Sequence, residues 1–157
     1  MNLDPKYFEE IKIKKTVSTF AEGDLKIEED LMAEVYNKAL KKNQELSCFI
    51  PDHEDFGKFK EGTKAKAELK QITFDTFSNP KKEKKIIFTQ KYPKANQCKI
   101  FGQIIEIKQH PSYATAYLGV IYCGFYVSVE VYKDKNPEKG DYIMADGRLD
   151  AHFIKEI

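Results

Sequence analysis

The sequence predicts a mostly-β protein of the α+β class, with one amphipathic helix near its N-terminus. Three observations lead to this prediction. After about residue 62, apolar and polar residues alternate in one segment after another, which is the period of a half-buried strand. Glycine, proline and asparagine separate these segments at turn positions. Before residue 62, apolar residues recur at the spacing of a helix over residues 28–43.

The N-terminal third carries the helix prediction. Leu31, Val35 and Ala39 are four residues apart, acidic residues come first, and lysines come last, an order that suits the helix dipole. Upstream, Asp4-Pro5 predicts a short helical turn, and alternation over residues 11–14 predicts a strand. We therefore expect a helical extension over residues 1–62, packed as one unit with a β domain over residues 63–157.

Strands are predicted over residues 64–77, 86–88, 98–108, 113–123, 125–132 and 141–154. Because side chains alternate across a strand, each segment divides into an inner and an outer set. The inner set is mostly small and apolar: Ala116, Leu118, Val120, Phe125, Val127, Val129, Val131, Ile143, Ala145, Gly147, Leu149, Ala151 and Phe153. The outer set includes tyrosines, which predicts aromatic rings on the outer face.

Composition limits the class of protein. The 157 residues are 41% hydrophobic, which is close to the globular norm and argues against disorder of the whole chain. The sequence has no long apolar run and no apolar segment of a secretory signal near its start, so we expect a cytoplasmic protein with no membrane span. Three widely spaced cysteines, Cys48, Cys98 and Cys123, predict reduced, structural thiols.

The charge is unevenly distributed, although the formal net charge is only +1. Residues 1–57 carry −5, residues 58–99 carry +8 and residues 100–157 carry −2. Of the 26 basic residues, all but Arg148 are lysine. This lysine-rich composition argues against sequence-specific recognition, because arginine is the usual residue for bidentate contacts with bases. Residues 58–99 either line a groove or are neutralised by the acidic residues 1–57.

Residues 98–154 resemble an OB-fold. A strand with an internal glycine, Gly102, precedes two alternating strands, a charged connection and the segment 139–149, which reads KGDYIMADGRL. This order is similar to that of single-stranded nucleic-acid-binding proteins of the replication protein A and bacterial single-stranded-DNA-binding type. The resemblance implies an OB-like small β-barrel, permuted or elaborated, since its last strand would have to come from residues 64–77 or 85–90. Gly102 and Gly147 would lie where strands bend or backbones approach closely.

The resemblance and the basic segment together predict binding of single-stranded DNA or RNA with low sequence preference. Bases would stack on outward aromatic rings while lysines follow the phosphates. The candidate binding residues are Lys64, Lys66, Lys70, Lys84, Lys85, Lys99, Phe101, Tyr117, Tyr126, Tyr132 and Arg148. The competing interpretation is structural, because exposed strand tyrosines also pair across strands, or could pack against the N-terminal segment.

Other functions have less support in the sequence. An assembly module that docks through the helix or an open strand edge, with a protein partner or a second copy, is the alternative. No phosphate-binding loop or nucleophile motif is present, so we expect neither an enzyme nor a cofactor. The turn at residues 52–55 and the strand positions Asp146, Asp150 and His152 hold possible metal ligands, but no metal site is predicted. Residues 59–62 and 138–140 echo each other too weakly to indicate a repeat.

Overall fold

The computed structural model describes residues 3–22, 25–89 and 96–157, without the side chains of residues 19–22 and 25–27. In this part of the chain, nine strands form one mixed sheet. The strands are β1 (Glu9–Glu22), β2 (Leu25–Asn37), β3 (Lys42–Ile50), β4 (Lys64–Ser78), β5 (Lys85–Phe88), β6 (Gln97–Gln109), β7 (Ala116–Tyr122), β8 (Tyr126–Tyr132) and β9 (Tyr142–Glu156). Short 3-10 helices span Pro5–Tyr7, His53–Asp55 and Lys133–Lys135.

The strand pairings form two closed rings that share β4 and β9. One ring runs β1–β2–β3–β9–β4 and returns to β1, and the other runs β6–β7–β8–β4–β9 and returns to β6. The contacts of β3 with β9 and of β8 with β4 are parallel, and all the other pairings are antiparallel. β5 adds to the second ring by pairing with β6. We call the parts of the chain that contribute β1–β4 and β6–β9 the first half and the second half.

The two halves have matching registers. Lys12 of β1 lies opposite both Glu34 of β2 and Lys64 of β4, and Gln103 of β6 lies opposite both Tyr122 of β7 and Tyr142 of β9. The next residue repeats its backbone contacts as well. Ile13 exchanges hydrogen bonds with the peptides at 62 and 63, and Ile104 does so with those at 140 and 141. The weak echo between residues 59–62 and 138–140 therefore falls at corresponding positions of the two halves.

The main hydrophobic core lies inside these pairings, and a smaller cluster of Leu3, Tyr7 and Val120 lies outside it. The main core draws isoleucines from β1 and β6, valines from β8, and small or branched residues from the shared strands. Its fully buried members include Ile11, Ile13, Leu31, Leu69, Ile100, Ile104, Val127, Leu149 and Ala151. β-Branched and aliphatic side chains pack well on a pleated surface, which explains why these segments form strands. The residues predicted to face inward from β7, β8 and β9 are buried, except for Phe153, which is partly buried and packs against the core.

The predicted fold class is wrong. The chain forms a nearly all-β, nine-stranded mixed sheet, and the expected OB-like small barrel behind an N-terminal amphipathic helix is not what the structure contains. The strands themselves lie close to their predicted positions. Both upstream segments considered for the last strand are strands: β4 pairs with β8 and β9, and β5 pairs with β6.

The predicted helix over residues 28–43 is instead most of β2, a turn and the start of β3. Leu31 and Val35 are four residues apart, a spacing that fits both a helix and a strand, because four is a multiple of two. Ala33 between them is also buried, whereas Tyr36 is exposed, so the true period is two. Of the lysines that suggested a helix C-terminus, Lys38 and Lys41 lie in the turn after Asn37, and Lys42 begins β3. Lys41 adopts a positive φ of 55°.

Two smaller N-terminal predictions are confirmed. Asp4 caps the 3-10 helix Pro5–Tyr7 by accepting the Lys6 N–H, and residues 11–14 lie in β1. All three cysteines are free and buried. Across the described residues, we find no helix of the length and apolarity that crossing a bilayer requires.

Candidate nucleic-acid interface

Three aromatic rings share one face of the second half. Gln103 lies opposite Tyr122 on one side and Tyr142 on the other. Side chains of residues directly opposite each other in a sheet point to the same face. Phe101 precedes Gln103 by two residues and therefore shares this face. We call Phe101, Tyr122 and Tyr142 the aromatic face; all three side chains are partly exposed.

Lysines cover the aromatic face. The Lys84 ammonium lies 5.7 Å from the centre of the Tyr122 ring and 5.8 Å from that of Tyr142. The Lys82 ammonium lies 5.5 Å from the Tyr142 ring centre, and the Lys85 ammonium lies 5.2 Å from that of Phe101. Each contact is a cation–π interaction of about 0.5–1 kcal/mol at an exposed site. The face therefore combines π surfaces with positive charge.

The connection between β4 and β5 holds these lysines in place through Asn79. This buried side chain donates to the Glu83 carbonyl at 3.0 Å and accepts the Glu83 N–H at 3.3 Å. Its backbone N–H donates to the Tyr142 carbonyl at 3.1 Å, and its own carbonyl accepts the Lys82 N–H at 3.0 Å. The connection is thus tied to the strand that carries Tyr142, which fixes where the lysine stems begin.

One carboxylate reduces the positive charge at this place. Glu83 pairs with Lys85 at 2.5 Å, and the hydrogen bond from Lys85 lowers the pKa of the Glu83 carboxyl. Among the described residues, Lys82 and Lys84 make no ion pair within 4.0 Å. Their ammonium groups contact aromatic rings instead. Binding a phosphate would therefore break only weak cation–π contacts and no ion pair.

A groove continues from the aromatic face. It has a volume of about 470 Å³ and runs from Tyr142 to Phe77 at the end of β4. Phe77 is 49% exposed, and the Lys135 ammonium lies 5.0 Å from its ring centre. Phe77 and Lys135 therefore repeat the arrangement of a ring beside a lysine on the other side of β9 from Phe101.

Five of the predicted binding residues lie at or beside the aromatic face, one of them being Tyr126, opposite Tyr122. Phe101 belongs to it, and Lys84 and Lys85 cover it. Lys99 is two residues before Phe101 on the same side of β6, opposite Ile87 and Asp146. The basic segment therefore does reach the aromatic rings, but only through its C-terminal part.

Of the predicted tyrosines, Tyr126 borders the aromatic face, whereas Tyr117 and Tyr132 lie elsewhere. Tyr126 lies opposite Tyr122, and the centres of the two rings are 5.4 Å apart. Tyr126 packs edge-on against Tyr7 with ring centres 5.0 Å apart, and its N–H donates to the Glu9 carboxylate at 2.8 Å. Tyr117 and Tyr132 lie at the far ends of β7 and β8, where the Lys133 ammonium is 5.0 Å from the Tyr117 ring centre. For Tyr126, the interpretation as a packing residue therefore applies, because the N-terminal segment covers its ring.

Lys64, Lys66, Lys70 and Arg148 also lie away from the aromatic face. Lys64 and Lys66 face β1, where Lys66 lies opposite Glu10. Lys70 and Asp150 lie opposite each other on the shared strands. Arg148 forms a bidentate pair with the buried Asp150 carboxylate at 2.7 and 2.9 Å, and its guanidinium stacks on Phe49 at 4.3 Å. Burial raises the pKa of Asp150, and the Arg148 hydrogen bond opposes that rise.

Sequence reasoning missed Tyr122, Tyr142, Lys82 and Phe77 as site residues. Alternation already placed Tyr142 outward, and Lys82 belongs to the lysine run 81–85. No local signal could have selected them over the other outward tyrosines. Their proximity depends on β7 and β9 flanking the same stretch of β6, which is a long-range pairing.

The corresponding face of the first half has a different chemistry. Its central residue is Lys12, and its flanking residues are Glu34 and Lys64 in place of Tyr122 and Tyr142. Glu34 forms a 3.0 Å ion pair with Lys14. The two halves thus present the same backbone positions with rings in one case and paired charges in the other.

Comparisons with protein-family models, curated proteins and solved structures found no match to this chain. Its own geometry is therefore the basis for a functional proposal.

Proposed function

We propose that the chain is a binding protein for single-stranded nucleic acid of low sequence preference, and not an enzyme. The observation that supports this most directly is the aromatic face with Lys82, Lys84 and Lys85 lying over its rings. Bases stack on exposed rings whatever their identity, and ammonium groups bind phosphates, so this combination favours a single strand over a duplex.

The proposed contact exchanges one set of weak interactions for a stronger one. A base displaces the lysine ammonium from a ring, and the freed ammonium binds the adjacent phosphate. Tyr122 and Tyr142 lie on strands separated only by β6, so their backbones are about 10 Å apart. The groove from Tyr142 to Phe77 extends the same path across β9.

Fluorescence anisotropy with labelled oligo-dT and oligo-U at low salt tests the proposal. We expect a Kd below about 100 µM, the weak end of non-specific binding. Tyr142→Ala should weaken binding by about 5- to 150-fold, because stacking contributes about 1–3 kcal/mol per base. If neither oligonucleotide binds below about 100 µM, the proposal is wrong.

The first half offers a matched control for the lysines. Lys84→Ala should weaken binding and flatten its salt dependence, whereas Lys64→Ala, at the position that corresponds to Tyr142, removes the same charge and should change neither. For the wild type, phosphate contacts by Lys82, Lys84 and Lys85 give a slope of log K against log salt of about −2. Equal losses in the two variants would contradict binding at the aromatic face.

Assembly through a strand edge is the second candidate. β5 ends the sheet order and pairs with β6, and Ile87 in it is 43% exposed. An apolar edge strand can pair with another chain. The helix that was the other expected docking element does not form. Light scattering tests this candidate: a stable oligomer that Ile87→Lys dissociates supports it, and a monomer at all concentrations opposes it.

A further inference from the structure

Three possible metal ligands converge far from the aromatic face. Asp52 directly precedes the 3-10 helix His53–Asp55, Asp55 is the last residue of that helix, and His152 lies on β9. His152 is ten residues after Tyr142 along β9, a distance of about 33 Å in a strand. One donor atom from each of the three side chains lies within 4.8 Å of the other two.

The geometry suits a single small cation. The ligands of one tetrahedral Zn²⁺ ion lie about 2.0–2.2 Å from it, so two ligand atoms are about 3.3–3.6 Å apart. Side-chain movements of about 1 Å therefore bring all three donors to one ion. Asp55 is already fixed, since it is buried and its Oδ2 accepts the Phe153 N–H at 3.1 Å. Asp52 Oδ2 lies 3.0 Å from His152 Nδ1, which orients both groups.

The surroundings supply a third carboxylate and space. Glu68 lies opposite His152 in the pairing of β4 with β9. Glu68, Asp52, Asp55 and His152 line the same cavity, whose volume is about 320 Å³, together with Lys70. An imidazole among carboxylates favours a first-row transition metal or zinc, whereas Mg²⁺ and Ca²⁺ favour oxygen ligands alone.

The second half shows what occupies the corresponding place there. Its 3-10 helix after the third strand ends at Lys135, as that of the first half ends at Asp55. The Lys135 ammonium donates to Asp75 Oδ1 at 2.5 Å and to the Thr76 carbonyl, and so ties this helix to β4. In the second half, the Lys135 ammonium is thus the cation that joins the 3-10 helix Lys133–Lys135 to β4.

The first half has acidic groups and an imidazole where the second half has that ammonium. The nearest cation to the Asp55 carboxylate is Lys58, at 3.7 Å and half exposed. Hydrogen bonds to Asp52 and Asp55 already join this helix to β9, and a metal ion would strengthen that connection as Lys135 does in the other half, with Lys58 turned to solvent. We propose that Asp52, Asp55 and His152 bind a divalent metal ion of the zinc type, which joins the 3-10 helix His53–Asp55 to β9.

Isothermal titration of the full chain with ZnCl₂ tests this site. We expect saturable binding of one Zn²⁺ per chain, with at least about a tenfold loss of affinity in Asp52→Asn and His152→Ala, since even the partners of metal ligands contribute that much. Asp52 is exposed, so Asp52→Asn leaves the fold intact. His53→Ala is the matched control, because His53 lies in the same turn but outside the cluster, and it should bind as the wild type does.

Proton NMR gives a readout that needs no variant. Zn²⁺ should shift the ring resonances of His152 and leave those of His110 in place. Failure to saturate with Zn²⁺ up to about 1 mM would overturn the proposal. Unchanged affinity in both ligand variants would also overturn it, because the metal would then be bound elsewhere, for example at a cysteine.

Discussion

Gly147 permits the closest backbone approach between the shared strands. A Cβ added at this glycine would lie 2.1 Å from the Ile72 carbonyl oxygen, a backbone atom that cannot move aside alone. Gly119 differs, since its added Cβ would meet the Val131 methyl group at 3.1 Å. Both glycines lie inside strands, which makes them a matched pair.

We expect Gly147→Ala to lower the free energy of unfolding by about 2–3 kcal/mol, in the upper range for overpacking, and Gly119→Ala to lower it by about 1 kcal/mol or less. Urea unfolding followed by circular dichroism measures both. Similar losses in the two variants would contradict the close approach of β4 and β9 as the cause.

Tyr7 gives the unfolding free energy a dependence on alkaline pH. Its hydroxyl donates to the Glu106 carboxylate at 2.5 Å, and this hydrogen bond, with burial and the negative charge of Glu106, raises the pKa of Tyr7 to about 12. An unfolded tyrosine has a pKa of about 10. The stabilisation is therefore complete below pH 10 and is lost as pH rises from about 10 to 12.

Urea unfolding at several pH values between about 9 and 12 checks this sign. Tyr7→Phe should remove the part of the decline that Tyr7 causes while the lysines titrate equally in both proteins. Parallel curves for wild type and variant would show that Tyr7 does not carry the dependence.

Among the elements, the N-terminal segment and the β4–β5 connection act on the outer face of the second half in opposite ways. Leu3 and Tyr7 cover Val120 and Tyr126, and so bury that part of β7 and β8. The β4–β5 connection instead places lysines over Tyr122 and Tyr142 and leaves those rings partly exposed. One tyrosine of this surface is therefore structural, and two remain accessible to a ligand.

This difference predicts that two similar substitutions have separate effects. Tyr126→Ala should lower the unfolding free energy by about 3 kcal/mol, as for other large aromatic truncations, and change oligonucleotide affinity little. Tyr142→Ala should show the reverse. Chemical unfolding and anisotropy on both variants check the prediction, and a loss of binding in Tyr126→Ala that is as large as in Tyr142→Ala would oppose it.

The strand elements also show how far local patterns reach. Alternation located β4, β6, β7, β8 and β9 and their inner faces, because the period of two is a property of each segment alone. It failed at residues 28–43, where a spacing of four satisfies both periods. The turn at residues 52–55 was read correctly as polar, but its approach to His152, 100 residues from Asp52, has no local signature.

At the scale of the whole molecule, β4 and β9 bind the two halves into one unit. Each of these strands completes the ring of its own half and of the other. Near the centre of their pairing, Leu149 lies opposite Gln71, whose side chain donates to the carbonyls of Cys98 and Ala145. Neither half can lose these strands without opening the other.

We therefore expect a single cooperative unfolding transition. Differential scanning calorimetry should give equal calorimetric and van't Hoff enthalpies. Leu149→Ala, which truncates a fully buried side chain, should lower the unfolding free energy by about 2–5 kcal/mol and keep one transition. Two unfolding transitions, in the wild type or in this variant, would contradict the idea that β4 and β9 make the two halves unfold together.

The division of charge is also settled at this scale. The described residues of the basic segment 58–99 divide between two places on the molecule. Its first part lies on β4, where Lys66 is opposite Glu10, and its later part, from Lys82 to Lys85, covers the aromatic face. The first part is separated from the aromatic face because the start of β4 pairs with β1 in the first half.

The sequence by itself determined strands β4 to β9, most of their inward faces, and three cysteines that are not paired in disulfides. These features follow from composition and from periods that each segment carries alone. Only the tertiary structure decided that β4 and β9 are shared, that Tyr122 and Tyr142 flank Gln103, and that Asp52 and Asp55 meet His152. The reason is physical: strand pairing joins residues far apart in the chain, and its register depends on all the strands packing around one core.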